Sequence, residues 1–392
     1  MSEAFSATYP ETQKIIQAIR THYHTDDFIP LHAPCLGEPE KQTLNDCIDS
    51  TFVSSVGRYV DEFEQIMADF TDANHAVAVV NGTMGLFLGL KVVGVQPGDL
   101  ILTQSLTFVA TANAIKMLQA DPVFLDVDAN SYGLSADSLQ EFLGEQTCLI
   151  DGQCVHSRTG RVIRACVPMH TLGFACEIDR IVEICHKHNI KVVEDAAESL
   201  GSYYQGQHTG IFGDVGVFSF NGNKILTTGG GGMLVTNNEA LAKHAKHLST
   251  TAKIPHAWLF EHDEIAYNLR MPNLNAALGV AQFSRLQDFL EEKRALAEMY
   301  RSLGEKLTGL SVMDGLEAGL PNYWLNGIVF HDPAQRDRFL AESNEEGIQT
   351  RPLWTPMHKL EIYQDCLRGD LDQTEWLAER VVNLPSGVKC NG

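Results

Sequence analysis

The sequence predicts an α/β fold: a large domain on a mainly parallel mixed sheet, followed by a smaller α+β domain. Three observations lead there. Six short runs, at 75–80, 99–103, 121–126, 165–169, 191–194 and 215–220, are largely apolar, as strands buried on both faces must be. Small-residue turns and amphipathic stretches of helical period separate them, the alternation that builds parallel sheets. From about residue 275 the texture changes to a long pattern rich in Ala, Leu, Glu and Arg, followed by alternating short strands and helices.

Taken in order, residues 1–50 read as a helical lead-in and an extended Phe28-Ile-Pro-Leu-His32. Apolar residues recur at helical spacing over 60–70. The strand at 75–80 runs into Asn81-Gly-Thr-Met-Gly85 and a helix from Leu86. The strand at 99–103 precedes a helix around 109–119, and 121–126 is a third strand. The strand at 165–169 leads to a helix at 178–188. Strands at 191–194 and 215–220 follow, then a hairpin-like return at 233–236 and a helix at 238–248. Beyond these come one long helix over 275–307 ending near Gly309, a strand at 322–330 and a helix at 333–346. A short strand at 349–353 and a final helix at 374–381 complete the series. We place the domain boundary at 250: 1–250 carries the N-terminal segment and the large domain, and 251–392 the long helix and the small domain.

Bulk properties exclude several classes. The 392 residues suffice for a full core and more than one domain, and 44% apolar with 20% charged residues is ordinary globular composition. A formal charge of −21 disfavours nucleic acid or anionic membrane as partner. No run reaches the roughly 18–20 apolar residues of a membrane span, and Met1-Ser-Glu-Ala-Phe-Ser6 lacks the pattern of a signal peptide. The nine cysteines are scattered without a Cys-x-x-Cys pair. Cys185 beside His186 and His188 reads as a helix end rather than a zinc site, so no metal is expected. Reduced thiols in a cytoplasmic protein are the plain reading.

The chemistry concentrates around Lys224. Lys191-Val-Val-Glu-Asp195 is a buried strand closing on an acid, and Val215-Gly-Val-Phe-Ser-Phe220 runs into Asn221-Gly-Asn-Lys224. An acid closing one strand and a lysine just past another suit pyridoxal phosphate. The amine forms the Schiff base, and the carboxylate keeps the ring nitrogen protonated so that the ring can take up electrons. Thr83 follows a strand and opens a helix, so its hydroxyl and the free N–H groups suit a phosphate dianion; an ordinary helix cap is the alternative. Ser219 is a polar residue in a buried strand and requires a partner. Phe108 by itself reads as core.

Six motifs in order carry a resemblance over most of the chain, from about Ile29 to Ser386. They are Asn81-Gly-Thr83, Leu106-Thr-Phe-Val-Ala-Thr111, Glu194-Asp-Ala-Ala-Glu198, Phe218-Ser-Phe220 with Lys224, Tyr267-Asn-Leu-Arg-Met271, and Asn383-Leu-Pro-Ser386. Together they resemble the DegT/DnrJ/StrS family of pyridoxal-phosphate-dependent nucleotide-sugar aminotransferases. The resemblance implies the aspartate-aminotransferase-like fold type I, with Lys224 as the Schiff-base lysine and Asp195 as partner of the ring nitrogen. It also implies Phe108 stacked on the ring, and Gly82, Thr83, the backbone at Met84, and Ser219 around the phosphate. Glu198 is expected beside the cofactor. Asn268 would reach the phosphate of a neighbouring subunit's cofactor, which implies a homodimer with shared sites.

Two features bear on the substrate. Glu198 stands where family members acting at carbon 4 of the sugar often carry Glu and many carbon-3 enzymes carry Gln. The runs Thr51-Phe-Val-Ser-Ser-Val-Gly57, Met169-His-Thr-Leu-Gly173, Leu248-Ser-Thr-Thr-Ala-Lys253 and Arg351-Pro-Leu-Trp-Thr-Pro-Met-His358 resemble the branch aminating UDP-linked 4-keto-6-deoxy-N-acetylhexosamines, on routes to bacillosamine or legionaminic-type surface sugars. Glutamate would be the donor and 2-oxoglutarate the co-product. GDP-perosamine synthases are the near neighbours, then carbon-3 enzymes, then a non-catalytic member of the fold. Arg351, Trp354 and His358 suit an anionic, ring-bearing nucleotide sugar, with packing of a small-domain strand as the alternative. His170 reads equally as a residue near the cofactor or as core. The glycine run at 229–232 lacks the acid many relatives carry, and Gly173-Phe-Ala-Cys-Glu177 departs from the usual Gly-x-Pro.

Overall fold

The computed structural model describes residues 10–390; residues 1–9, which include the leading stretch considered above, and 391–392 lie outside the described residues. Seven strands form the central sheet: β1 (His75–Val79), β2 (Leu100–Gln104), β3 (Asp121–Leu125), β4 (Ile163–Val167), β5 (Lys191–Asp195), β6 (Val215–Ser219) and β7 (Gly232–Thr236). Their order across the sheet is β1-β7-β6-β5-β4-β2-β3. Strands β6, β5, β4, β2 and β3 run parallel, and β7 is antiparallel to both its neighbours.

Alternation of side chains explains why these runs are so apolar. Ile101 enters a core with Leu86, Leu90, Val193 and Val217, where the helix Gly82–Val92 covers one face. Its neighbours Leu100 and Leu102 enter the opposite core with Leu139, Phe142, Ile181 and Val192, beneath the helices Ala136–Gln146 and Ile178–Lys187. Each such fully buried Leu, Ile or Val stabilises the fold by about 1.5–3 kcal/mol. Helix Ala136–Gln146 and the hairpin Thr147–Ile150 with Gln153–His156 were passed over in the sequence reading. Ser135 marks the helix start by accepting from the Ser138 N–H at 3.2 Å, whereas the hairpin leaves Leu149 and Ile150 exposed and so lacks a buried-strand pattern.

Two expectations for the C-terminal part need correction. The single helix expected over 275–307 is two, Asn273–Phe283 and Leu286–Gly304. At the break the Ser284 hydroxyl turns back to the Ala281 carbonyl at 2.7 Å, and the Arg285 guanidinium reaches the Cys35 carbonyl and Glu40 Oε1. The first half is enclosed on all sides and the second amphipathic, and both are rich in helix-forming residues, so the local pattern runs through the joint. The expected helix over 374–381 spans Asp372–Ala378, and Val381 instead opens a strand. That strand, β11 (Val381–Leu384), belongs to a second, antiparallel sheet with β8 (Leu310–Val312), β9 (Asn326–Phe330) and β10 (Arg351–Pro352), ordered β8-β9-β11-β10. Helix Pro10–Tyr23, placed with the large domain from sequence, contributes Ile15, Ile16 and Ile19 to the core of this second sheet, alongside Ile328, Phe339 and Leu384.

No helix among the described residues is long and apolar enough to cross a membrane. Cys185 is buried, His186 faces Asp214 at 3.6 Å, and His188 Nδ1 bonds the Ile184 carbonyl at the end of its helix.

Candidate active site

The carboxyl ends of β1, β5 and β6 open on a cavity of about 260 Å³, where the sheet geometry favours ligand binding. It brings together Gly82, Thr83, Phe108, Asp195, Glu198, Ser219, Lys224 and Trp354, which the sequence reading had placed in the site, with Asn221, Asn223 and Trp324.

Lys224 lies just beyond β6, its N–H bonded to the Asn221 carbonyl at 3.0 Å. Its Nζ is 3.2 Å from Glu198 Oε1 and 3.8 Å from the centre of the Trp324 ring. Burial pushes the Glu198 carboxyl up to about 7, against the opposing pull of the Lys224 charge and of the Leu172 N–H. That N–H reaches Glu198 Oε2 at 2.9 Å from a left-handed leucine (φ 56°), a conformation that costs about 1–3 kcal/mol outside glycine.

Asp195 closes β5, fully enclosed. Its Oδ2 accepts from the Thr111 hydroxyl at 2.7 Å and its Oδ1 from the Ala197 N–H at 3.2 Å. Burial pushes this carboxyl up, while Thr111, Ala197 and then the Lys224 charge hold it down. Its neighbour Glu194 points to the other side of the strand, where it accepts from the N–H groups of Gly210, Phe212 and Gly213 and pairs with His170 Nε2 at 2.9 Å. Burial alone would push His170 down, but Cys176 and Glu194 raise it to about 10. His170 is therefore a buried structural partner of Glu194.

The opposite end of the cavity is built by close backbone approach. A Cβ on Gly82 would stand 2.8 Å from Ser219 Cβ, and one on Gly232 would stand 2.7 Å from the Asn81 carbonyl carbon. Two glycines thus let the turn after β1 lie against β6 and β7 and open helix Gly82–Val92 into the cavity. The N-terminal N–H groups of such a helix favour an anion. Asn81 caps the helix by accepting from the Met84 N–H at 2.8 Å.

These residues fit pyridoxal phosphate: an amine and a buried carboxylate share one cavity with a helix start that only glycine permits. The Phe108 ring is 49% exposed and 6.3 Å from the Trp354 ring, so it stands at the cavity rather than in the core.

A model of the DegT/DnrJ/EryC1/StrS aminotransferase family matches residues 34–392. The chain belongs to this family. It is accordingly a pyridoxal-phosphate-dependent sugar aminotransferase of fold type I. It is 34% identical to GDP-perosamine synthase from Escherichia coli O157:H7, over 92% of this chain and 93% of that protein. It is 36% identical to the putative pyridoxal phosphate-dependent aminotransferase EpsN of Bacillus subtilis, over 92% and 91% of the two chains. The solved structure of the aminotransferase TlmJ from Streptoalloteichus hindustanus superposes with a TM-score of 0.83 at 29% identity, covering 92% of this chain and 93% of that one.

In this aminotransferase some expected residues stand elsewhere. The Met84 N–H is given to Asn81 rather than left free for a phosphate. Arg351 is exposed on β10, outside the cavity lining. Both ring nitrogens of His358, also outside the cavity lining, are engaged, Nδ1 with Ser105 Oγ at 2.7 Å and Nε2 with Glu375 Oε1 at 3.1 Å. Asn268 is exposed and accepts from Arg270 Nε at 3.0 Å, also outside the lining of this chain's own cavity. Trp324 was missed because it reads as the start of a strand over 322–330, which begins only at Asn326. Thr111 was recognised only as a motif position; its bond to Asp195 joins side chains from β5 and from helix Val109–Met117.

Proposed function

We propose that this enzyme transfers the amino group of L-glutamate to carbon 4 of a nucleotide-linked 4-keto-6-deoxy sugar. The observation that carries the reading is the Lys224 amine, held by Glu198 in the same cavity as the buried Asp195. We take GDP-4-keto-6-deoxymannose as the first acceptor, ahead of the UDP-linked N-acetylhexosamine expected from sequence, a choice supported by similarity to a GDP-perosamine synthase. The UDP-linked acceptor stands second, on the runs at 51–57, 169–173, 248–253 and 351–358. We also propose a cytoplasmic homodimer, with Asn268 serving the neighbouring subunit's cofactor.

Bound pyridoxal phosphate supplies an electron sink for carbanion chemistry. Lys224, Asp195, Gly82, Thr83 and Ser219 would hold it, with Phe108 against its ring. Asp195, kept apart from water, would stabilise a proton on the ring nitrogen. The Lys224 amine, standing free in the cavity, would move the proton at the reacting carbon, first as base and then as acid. Overall the amino group of glutamate exchanges with the keto oxygen of the sugar: one water would be taken up as 2-oxoglutarate forms and one released as the sugar oxygen leaves, so none is consumed in the cycle. Glu198, whose carboxyl titrates near neutrality, sits at the Lys224 amine, where it can accept or return a proton.

The test is incubation of the loaded enzyme with glutamate and a panel of GDP-, UDP- and dTDP-4-keto sugars, with mass detection of the amine. Product from the GDP-linked sugar at the highest kcat/KM supports the reading. Preferential turnover of the UDP-linked sugar replaces it with the second reading, and turnover only of 3-keto sugars overturns carbon-4 chemistry.

A further inference from the structure

Trp324 reaches the cavity from the segment leading into β9, and it is fixed from three directions. Its main-chain N–H donates to Asn322 Oδ1 at 2.8 Å, its carbonyl accepts from Lys293 Nζ at 3.2 Å, and its indole N–H donates to the Asn223 carbonyl at 2.5 Å. The Asn322 amide also donates to the carbonyls of Glu198 and Leu200, each at 2.9 Å. One side chain therefore positions both Trp324 and the backbone of Glu198. The last contact tightens the link further, because Asn223 immediately precedes Lys224.

Lys224 Nζ lies between the Glu198 carboxyl (3.2 Å) and the indole face (3.8 Å). Both contacts suit an amine that carries positive charge: a carboxylate pairs with it, and the negative face of an indole attracts it. Neither contact favours a neutral nitrogen to the same degree. We propose that Trp324 is a catalytic residue whose indole face, opposite Glu198, holds the Lys224 amine whenever it is released from the cofactor. It thereby sets the balance between lysine-bound and released forms. The proposal rests on the cofactor chemistry above and is independent of which sugar is aminated. Lys293 acts as a positioning residue: enclosed in the core, it bonds the carbonyls of Trp324 and Ser386 and keeps the indole in place.

The test compares the affinities of the full-length protein for pyridoxal phosphate and pyridoxamine phosphate. The first can condense with Lys224, losing one water; the second leaves the amine free. Contacts to the phosphate and ring are common to both ligands and cancel in the ratio of dissociation constants. Loss of the indole face destabilises only the free, charged amine. Trp324→Leu therefore shifts the ratio towards pyridoxal phosphate by about two- to thirty-fold, the range of a cation–π contact. Trp324→Phe, which retains a π face, shifts it less. Glu198→Gln, which weakens the other contact and keeps the indole, shifts the ratio in the same direction. A structural defect would weaken both ligands and leave the ratio unmoved. An unchanged ratio in Trp324→Leu, or a shift towards pyridoxamine phosphate in either Trp324→Leu or Glu198→Gln, overturns the proposal. Failure of the wild type to bind pyridoxal phosphate at all would instead remove the cofactor assignment.

Discussion

Replacing Glu198 by Gln removes one titrating carboxyl while keeping the side chain's shape and its ability to accept the Leu172 N–H. Burial raises this carboxyl from an ordinary 4.5 to about 7, so the folded protein holds the proton more tightly than the unfolded chain does. The residue's contribution to stability is therefore complete below about pH 4.5 and is lost as pH rises through about 7. The interval corresponds to about 3 kcal/mol. Urea unfolding of cofactor-free protein, followed by tryptophan fluorescence from about pH 5 to about pH 8, measures it. Wild type loses stability relative to Glu198→Gln as pH rises, by up to that amount. Curves that stay parallel across the range would show that the fold does not raise the Glu198 carboxyl, and the reasoning from burial would fail.

Three further outcomes follow from the same geometry. Lys293 is pushed by burial from 10.5 down to about 7, so its contribution is present above about pH 10.5 and lost as pH falls through about 7. Between pH 10 and pH 6.5 stability should fall by up to about 4 kcal/mol more for wild type than for Lys293→Met. Thr111→Val deletes the hydroxyl bonded to Asp195 Oδ2 and lets burial push that carboxyl further up. In steady-state assays kcat falls about ten- to a hundred-fold, the worth of a hydrogen bond to a charged group. Gly82→Ala places a methyl 2.8 Å from Ser219 Cβ, costs about 1–3 kcal/mol in unfolding experiments, and weakens pyridoxal phosphate binding in a fluorescence titration.

Residues close in sequence were read well because local chemistry reports them. Lys224 follows β6 within a few residues, Asp195 ends β5, and Gly82 and Thr83 open a helix directly after β1; their shared place at the cavity follows from strand-to-turn grammar. The joint between Asn273–Phe283 and Leu286–Gly304 was invisible for the opposite reason. Its cause is Arg285 reaching across to Cys35 and Glu40, which no local pattern encodes. Likewise, His358 and Trp354 lie in one short segment and looked alike as substrate residues. Packing turned His358 towards Ser105 and Glu375 and left Trp354 at the cavity.

By itself the sequence determined the α/β class, the family, and a lysine and an acid that the fold brings into one cavity. Buried strands must be apolar throughout, and catalytic groups at strand ends are flanked by small residues that leave a legible signature. Only the tertiary structure decided what surrounds the Lys224 amine. Glu198 and Trp324 come from distant segments joined by Asn322, and their distances to one nitrogen depend on how the second sheet seats against the first. A contact between segments remote in the chain is a property of packing, and periodicity and composition do not encode it.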